Sequence, residues 1–294
     1  MRRLVLGLIS ALSLIVGSVI QAQEEVEVRP EIQQDSKVMR FEIQAVEPGT
    51  DSAGHEALVF YLGPGALRMD TNAEDSESVA SSLIYLRQEK SYMVLMHEIE
   101  EAVTYDLEEF ARYTEKNEAL QEKLWERLAG AASQEETEAM LELRRVRREG
   151  AIAQNKVLKA TLSFEKTDVT GEMDGHVWTL YRELTGETVT REYLVTPWDD
   201  LGITEETSEI FEETAYFAAQ KKEISGGLSL AYDPFQHYDQ FDGYPLVMRQ
   251  LDADGSVVLE VKVTAIQAAD DPGDLFENPG YPEKGLSETV RVIN

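Results

Sequence analysis

SSLIYLRQEKSYMVLMHEIEEAVTYDL, residues 81–107, decides the fold. Its apolar runs, SLIYLR, YMVLMH and AVTYDL, are too short for helices and are separated by short polar turns, so they read as consecutive strands of an antiparallel meander. The runs ALVFYL and ALRMD precede them, and VMRFEIQAV opens the series. In that first run Met39, Phe41, Ile43 and Ala45 alternate with Arg40, Glu42 and Gln44, the period of a half-buried strand. LGPGALRMD, residues 62–70, joins two of these strands. Pro64 presets its backbone angle for a turn, and Gly63 and Gly65 are expected to supply positive φ. No helix N-terminus follows to aim amides at an anion, which excludes a phosphate loop. Arg68 and Asp70 then share one strand face, read as a solvent-facing pair, with Leu67 and Met69 on the other.

From Asp106 the period changes. Phe110, Tyr113, Leu120, Leu124 and Leu128 recur at helical spacing, and Ser133 with Glu136 forms a capping-box signature for a second helix through about Glu149. Residues 106–156 are therefore expected as a helical hairpin inserted between strands. Alternation resumes at Leu158, Ala160, Leu162 and Phe164, with Asp174-Gly175 and Thr185-Gly186 at hairpin turns. Ile203, Thr207, Ile210, Phe211, Thr214, Ala215 and Ala218 mark a helix over about 204–224. YPLVMRQL, the Asp254-Gly255 turn and SVVLEVKVTAI then form a last hairpin, with Val257, Leu259, Val261 and Val263 on one face. Ten or eleven strands and about three helices result, with no internal repeat.

The chain opens with Arg2 and Arg3, an apolar run from Leu4 to Ile20 and the small residue Ala22, the layout of a secretory signal peptide over 1–22. Residues 23–36 read as a polar linker, 37–268 as the folded domain and 269–294 as a C-terminal tail. The expected destination is the periplasm or the medium, with no transmembrane segment in the mature form. No cysteine is present, which excludes disulfides, an acylated N-terminal cysteine and thiol chemistry. With 56 acidic against 27 basic residues the formal net charge is −29, which argues against nucleic acid and anionic lipid headgroups and favours cationic partners or solubility in salt.

No catalytic or metal motif is complete. His97-Glu98 begins a zinc-protease helix motif, but Glu101 stands where the second histidine belongs. His55, His97, His176 and His237 are scattered, with surface or strand-end positions expected for each. QLDADGS loses two EF-hand ligands, at Gln250 and Val261. GGLSLA around Ser229 has Ala231 in place of the last glycine of a nucleophile elbow and leaves a helix rather than a strand. Arg144, Arg145, Arg147 and Arg148 form the one basic cluster, with Glu142 and Glu149 in pairing range on the same helix. Metal, cofactor and catalytic residues are all expected to be absent.

GALRMD and the opening stretch, followed by LSFEKTDVTGEMDGHVWTLYREL, TREYLVTPWDDLGI, YPLVMRQLDADG and LFENPGY, resemble an exported bacterial family known as domain of unknown function 4412, from about Val38 to Tyr281. The resemblance implies an α+β fold similar to the LolA-like periplasmic lipoprotein carriers: a curved antiparallel half-barrel sheet whose concave face is covered by helices and accepts acyl chains. Two departures are visible. The helical hairpin is long for the family, and His176 stands where members often carry cysteine.

The expected function is an exported, non-enzymatic binding protein for a lipid or the acyl chain of a lipoprotein, with the inserted helices as a movable lid. Met39, Phe41, Ile43, Leu95, Leu162, Phe164, Val257, Leu259 and Val261 are the candidate lining, although each reads more readily as plain core. The alternative is an acidic envelope scaffold with a filled core and no small-molecule ligand. A hollow or a packed sheet face discriminates the two.

Overall fold

The computed structural model describes residues 38–46, 57–72, 79–131, 161–225, 237–269 and 273–290, together with helical residues at 138–139, 141–142, 145–146, 149–150 and 153. The expected signal peptide and linker, and the segment around Ser229, lie outside the described residues.

The strands are β1 (Met39–Val46), β2 (Ala57–Leu62), β3 (Ala66–Asn72), β4 (Val79–Leu86), β5 (Ser91–Met96), β6 (Glu101–Tyr105), β7 (Leu162–Met173), β8 (His176–Thr185), β9 (Thr188–Pro197), β10 (Gly243–Leu251), β11 (Val257–Ala268) and β12 (Glu283–Gly285). They form one open sheet in the order β12-β6-β5-β4-β3-β2-β1-β11-β10-β9-β8-β7. Two meanders, β1 to β6 and β7 to β11, join where β1 pairs antiparallel with β11. This is the expected α+β half-barrel class. Among the described strands, only β12 runs parallel to its neighbour, β6.

Local chemistry explains the turns and the helix ends. Asp174 and Gly175 both adopt positive φ, at 53° and 84°, as a two-residue hairpin requires. The Asp252 carboxylate accepts from the backbone N–H groups of Asp254 and Ser256, each at 2.9 Å, and closes the last hairpin. Helix α1 (Leu107–Ala131) begins where the Asp106 carboxylate accepts from the Glu109 N–H at 2.7 Å. Helix α2 (Glu205–Ile224) begins at Thr204, whose hydroxyl accepts from the Thr207 N–H at 3.3 Å.

The sheet curls around α2. Thr207, Ile210, Phe211, Thr214, Phe217 and Lys221 are buried along one side of that helix, at the three- and four-residue spacing read from the sequence. They meet Phe41, Phe60, Leu62, Leu67, Tyr85, Tyr92 and Tyr244 from β1 to β5 and β10. On the reverse face, Ala66, Ile84, Met93, Leu95 and Ala102 pack beneath Phe276.

Three expectations are corrected here. Residues 273–290 are not a tail outside the domain. Phe276 is buried on the reverse face, β12 extends the sheet, and a turn at Leu286–Thr289 docks on α1 through Glu109, which accepts from the Ser287 N–H at 2.6 Å. Gly63 and Gly65 do not take positive φ. A Cβ on Gly63 would stand 3.3 Å from the Phe276 ring, so packing rather than turn geometry limits the side chain there. Nor are Arg68 and Asp70 a solvent-facing pair: Asp70 is 4% exposed, and the Arg68 guanidinium donates to the Leu275 carbonyl of the covering segment.

Candidate functional site

Met39, Phe41 and Ile43 occupy the face beneath α2. That face is packed with aromatic rings. Phe41 lies 4.8 Å from Tyr244 and 5.4 Å from Phe60, centroid to centroid. Phe211 reaches down from α2 to within 6.0 Å of Phe60, 5.9 Å of Tyr244 and 5.3 Å of Tyr238, and stacks on Trp198 at 5.1 Å. One helical turn and a half further on, Phe217 meets Tyr92 edge-on at 4.9 Å. Such tilted and edge-to-face pairs add about 0.5–1.5 kcal/mol each to the burial of the rings.

Polar contacts hold α2 against the sheet as well. Arg87, in the turn after β4, donates to the Glu213 carboxylate at 2.8 Å, to the Glu206 carbonyl at 2.8 Å and to Glu209. The Tyr85 hydroxyl also donates to Glu213, at 3.3 Å, and burial together with that carboxylate pushes the phenol pKa up. Lys221 lies over the rings of Tyr92, Tyr105, Phe110 and Phe217, with its ammonium 5.4–5.9 Å from their centroids. This cation joins the end of α2 to β5, β6 and α1.

The expected lining residues divide between environments. Phe164 sits at the far end of the same aromatic band, 5.8 Å from Phe241 and 6.4 Å from Tyr193. Tyr238 links the two parts of the band, 5.5 Å from Tyr244 and 6.3 Å from Phe241. Leu162, Val257, Leu259 and Val261 are half-buried on β7 and β11. Leu95 is separated from the rest. It lies on the reverse face with Ile84 and Met93, where it cannot share a concave-face ligand with Phe41.

Beside Phe164 lies a charged cluster with no sequence motif. The Glu183 carboxylate, 4% exposed, accepts from Arg191 at 2.9 and 3.0 Å, from the Tyr193 hydroxyl at 2.8 Å and from Thr190 at 3.0 Å. The His237 ring stands 5.3 Å from Phe164, and burial holds its pKa below the ordinary histidine value. Arg145 pairs with Glu142 at 2.7 Å and with Glu149 at 3.1 Å, as the helical spacing implied. Arg144, Arg147 and Arg148 lie outside the described residues.

The reverse face carries a grouping that the sequence reading missed. Ser82 on β4 and His97 after β5 meet at 2.8 Å, Oγ to Nε2, and His97 Nδ1 lies 3.1 Å from the Tyr281 hydroxyl. A serine beside a histidine is the first requirement of nucleophilic catalysis. Here, however, Ser82 is 1% exposed and its oxygen accepts from Arg68 at 2.9 Å, so no acyl carbon can approach it in this conformation. The signal that could have found the pair is register: Ser82 and His97 both follow the parity of the β4–β5 hairpin, in which Ser81 opposes Met96 and Ser82 opposes Leu95.

No family model and no curated protein matches the chain, so the resemblance to domain of unknown function 4412 gains no support from those comparisons. Among solved structures, an uncharacterized conserved protein from Thermus thermophilus is similar at 7% identity and TM-score 0.38, with 85% of this chain and 91% of that chain covered. MucB in the MucA/MucB complex of Pseudomonas aeruginosa follows at 8% and 0.34, covering 82% of this chain and 55% of that one. A putative outer membrane lipoprotein-sorting protein domain from Vibrio parahaemolyticus is similar at 5% and 0.26, covering 81% and 88%. This chain thus spans about half of the chain it matches in the Pseudomonas complex.

Proposed function

We propose that this is an exported, non-enzymatic interaction protein of the cell envelope that engages a cationic partner through its acidic surface and keeps its sheet face filled with its own side chains. One observation carries the reading: the face beneath α2 is occupied by interlocking rings, with Phe41, Phe60, Phe211 and Tyr244 all at most 1% exposed. An acyl chain seated there would have to displace α2 and the Phe211 ring. The formal charge of −29 supplies the complementary half of the argument, since a surface so acidic attracts basic partners and repels anionic headgroups.

Native mass spectrometry of the protein purified from its own envelope tests this directly. The expected result is the bare protein mass, no response to fluorescent fatty acids, and capture of a basic partner that weakens as salt rises. A stoichiometric lipid adduct overturns the reading.

The carrier reading keeps one supporting observation. Val257, Leu259 and Val261 are half-buried at alternate positions of β11, and Leu162 is half-buried on the edge strand β7, so these apolar side chains are less covered than the rings beneath α2. A lipid adduct lost on Val261→Asp, with the fold retained, would favour that reading over the first.

A further inference from the structure

The grouping on the reverse face is a continuous chain of hydrogen bonds that starts at Arg68. An arginine only donates. Arg68 donates through Nε to Asp70 at 2.6 Å, through Nη1 to the Leu275 carbonyl at 2.6 Å and through Nη2 to Ser82 Oγ at 2.9 Å. Ser82 Oγ therefore acts as acceptor toward Arg68 and keeps its own proton and a second lone pair. His97 is bonded through both ring nitrogens, Nε2 to Ser82 Oγ at 2.8 Å and Nδ1 to the Tyr281 hydroxyl at 3.1 Å, with the donor at each bond set by the ring's tautomer. The His97 and Tyr281 rings also meet edge-on at 5.7 Å.

Tyr281 is presented by a turn built for it. The Asn278 carboxamide accepts from the Tyr281 N–H at 2.8 Å and donates to the Tyr281 carbonyl at 2.9 Å. One relay thus fastens the chain over 274–282 to the sheet through Arg68 to Leu275 and His97 to Tyr281, and the Pro282 carbonyl accepts separately from the Ala102 N–H of β6 at 3.0 Å. Beneath it lie Ile84, Met93 and Leu95, each at most 1% exposed, with Phe276 packed on them.

We propose that residues 274–282 form a pH-sensitive strap, latched across the reverse face by neutral His97, with Ser82 donating to Nε2 and Nδ1–H donating to the Tyr281 hydroxyl, and loosened when that ring takes a second proton. A proton on Nε2 would point at an oxygen already accepting from Arg68, and the Ser82 hydroxyl hydrogen would have to turn into a site that solvent scarcely reaches. The new charge would face the Arg68 guanidinium. The charged and titratable groups around His97 are Arg68 and Asp70 on β3 and Tyr281 on the strap, and Asp70 is already engaged by Arg68. Burial first, then Arg68, hold the His97 pKa below its ordinary 6.5, with Asp70 acting weakly the other way. The unfolded or unstrapped ring therefore binds its proton more readily than the latched one. The latch is at full strength above about pH 6.5 and weakens as the pH falls below it. Loosening would bare the apolar patch under Phe276, which gives the switch a surface to expose.

Two measurements on the full chain test this. Nitrogen-resolved NMR of His97 at pH 7.5 should report the Nδ1–H tautomer and a titration midpoint below 6.5. Hydrogen exchange should show the protection factors of residues 274–282 falling several-fold between pH 7.5 and pH 5. That pH step should vanish in His97→Gln. In Tyr281→Phe, which keeps the Ser82–His97 bond and cuts the link to the strap, protection should be lower at both pH values with no step between them. The Nε2–H tautomer, a midpoint at or above 6.5, or a step of unchanged size in either variant would overturn the proposal.

Discussion

Replacing Phe211 by alanine separates a filled core from a liftable lid. Phe211 is 1% exposed and lies within 6.0 Å of four other rings, those of Trp198, Tyr238, Tyr244 and Phe60. Removing its ring leaves a hole on the order of 100 Å³ if its neighbours stay in place, which at about 24 cal/mol per Å³ costs about 2.4 kcal/mol. Lost transfer of the ring out of water adds about 2 kcal/mol, for a sum of about 4 kcal/mol. With a urea m-value of about 3 kcal/mol/M, the unfolding midpoint should fall by about 1.3 M. Urea titration followed by far-UV circular dichroism and by tryptophan fluorescence measures it, since Trp198 stacks on the deleted ring. Tyr216, on the same helix but 62% exposed, is the control, and Tyr216→Ala should change stability by less than about 0.5 kcal/mol. A loss below about 1 kcal/mol for Phe211→Ala would refute the reasoning. It would mean that α2 rests on the sheet without being packed into it.

Two further outcomes follow from geometry elsewhere. A Cβ on Gly243 would lie 2.0 Å from the Thr196 carbonyl oxygen of the neighbouring strand, so Gly243→Ala should cost at least about 2 kcal/mol in thermal or urea unfolding and should deprotect the β9 and β10 amides selectively. The Asp242 carboxyl is held below its ordinary value of 3.8, first by the Lys166 ammonium at 2.8 Å and then by the Tyr181 hydroxyl. Its contribution to stability is present above the unfolded pKa and is lost as the pH falls through the lower folded one, so Lys166→Met should raise the Asp242 titration midpoint in carboxyl carbon NMR, and the small stability difference from the parent should show above about pH 4 and vanish as the pH falls below the folded value.

Where one face of an element is apolar and the other polar, local pattern and structure agree. The β1 alternation places Met39, Phe41 and Ile43 together, and Thr204 caps α2 where the helical period begins. Leu95 shows where pattern stops being informative. In β5 five of the six residues are buried, on both faces, so period two says that Tyr92 and Leu95 differ in face without saying which face looks inward. Arg68 and Asp70 were read as a solvent-facing pair because polar side chains on a strand usually are, and His97 as a surface or strand-end histidine. They are covered by a segment some two hundred positions away in sequence, as the Arg68–Leu275 bond shows, and nothing local announces that contact.

The sequence by itself determined the strand-rich α+β class, the turns, the long helices and the acidic charge, because these depend on periodicity, backbone preference and composition within a few residues. Tertiary structure alone decided which side of the sheet α2 fills, that Phe211 closes it, and that residues 274–282 lie across the reverse face on Arg68 and His97. Those outcomes depend on which distant side chains compete for the same buried surface.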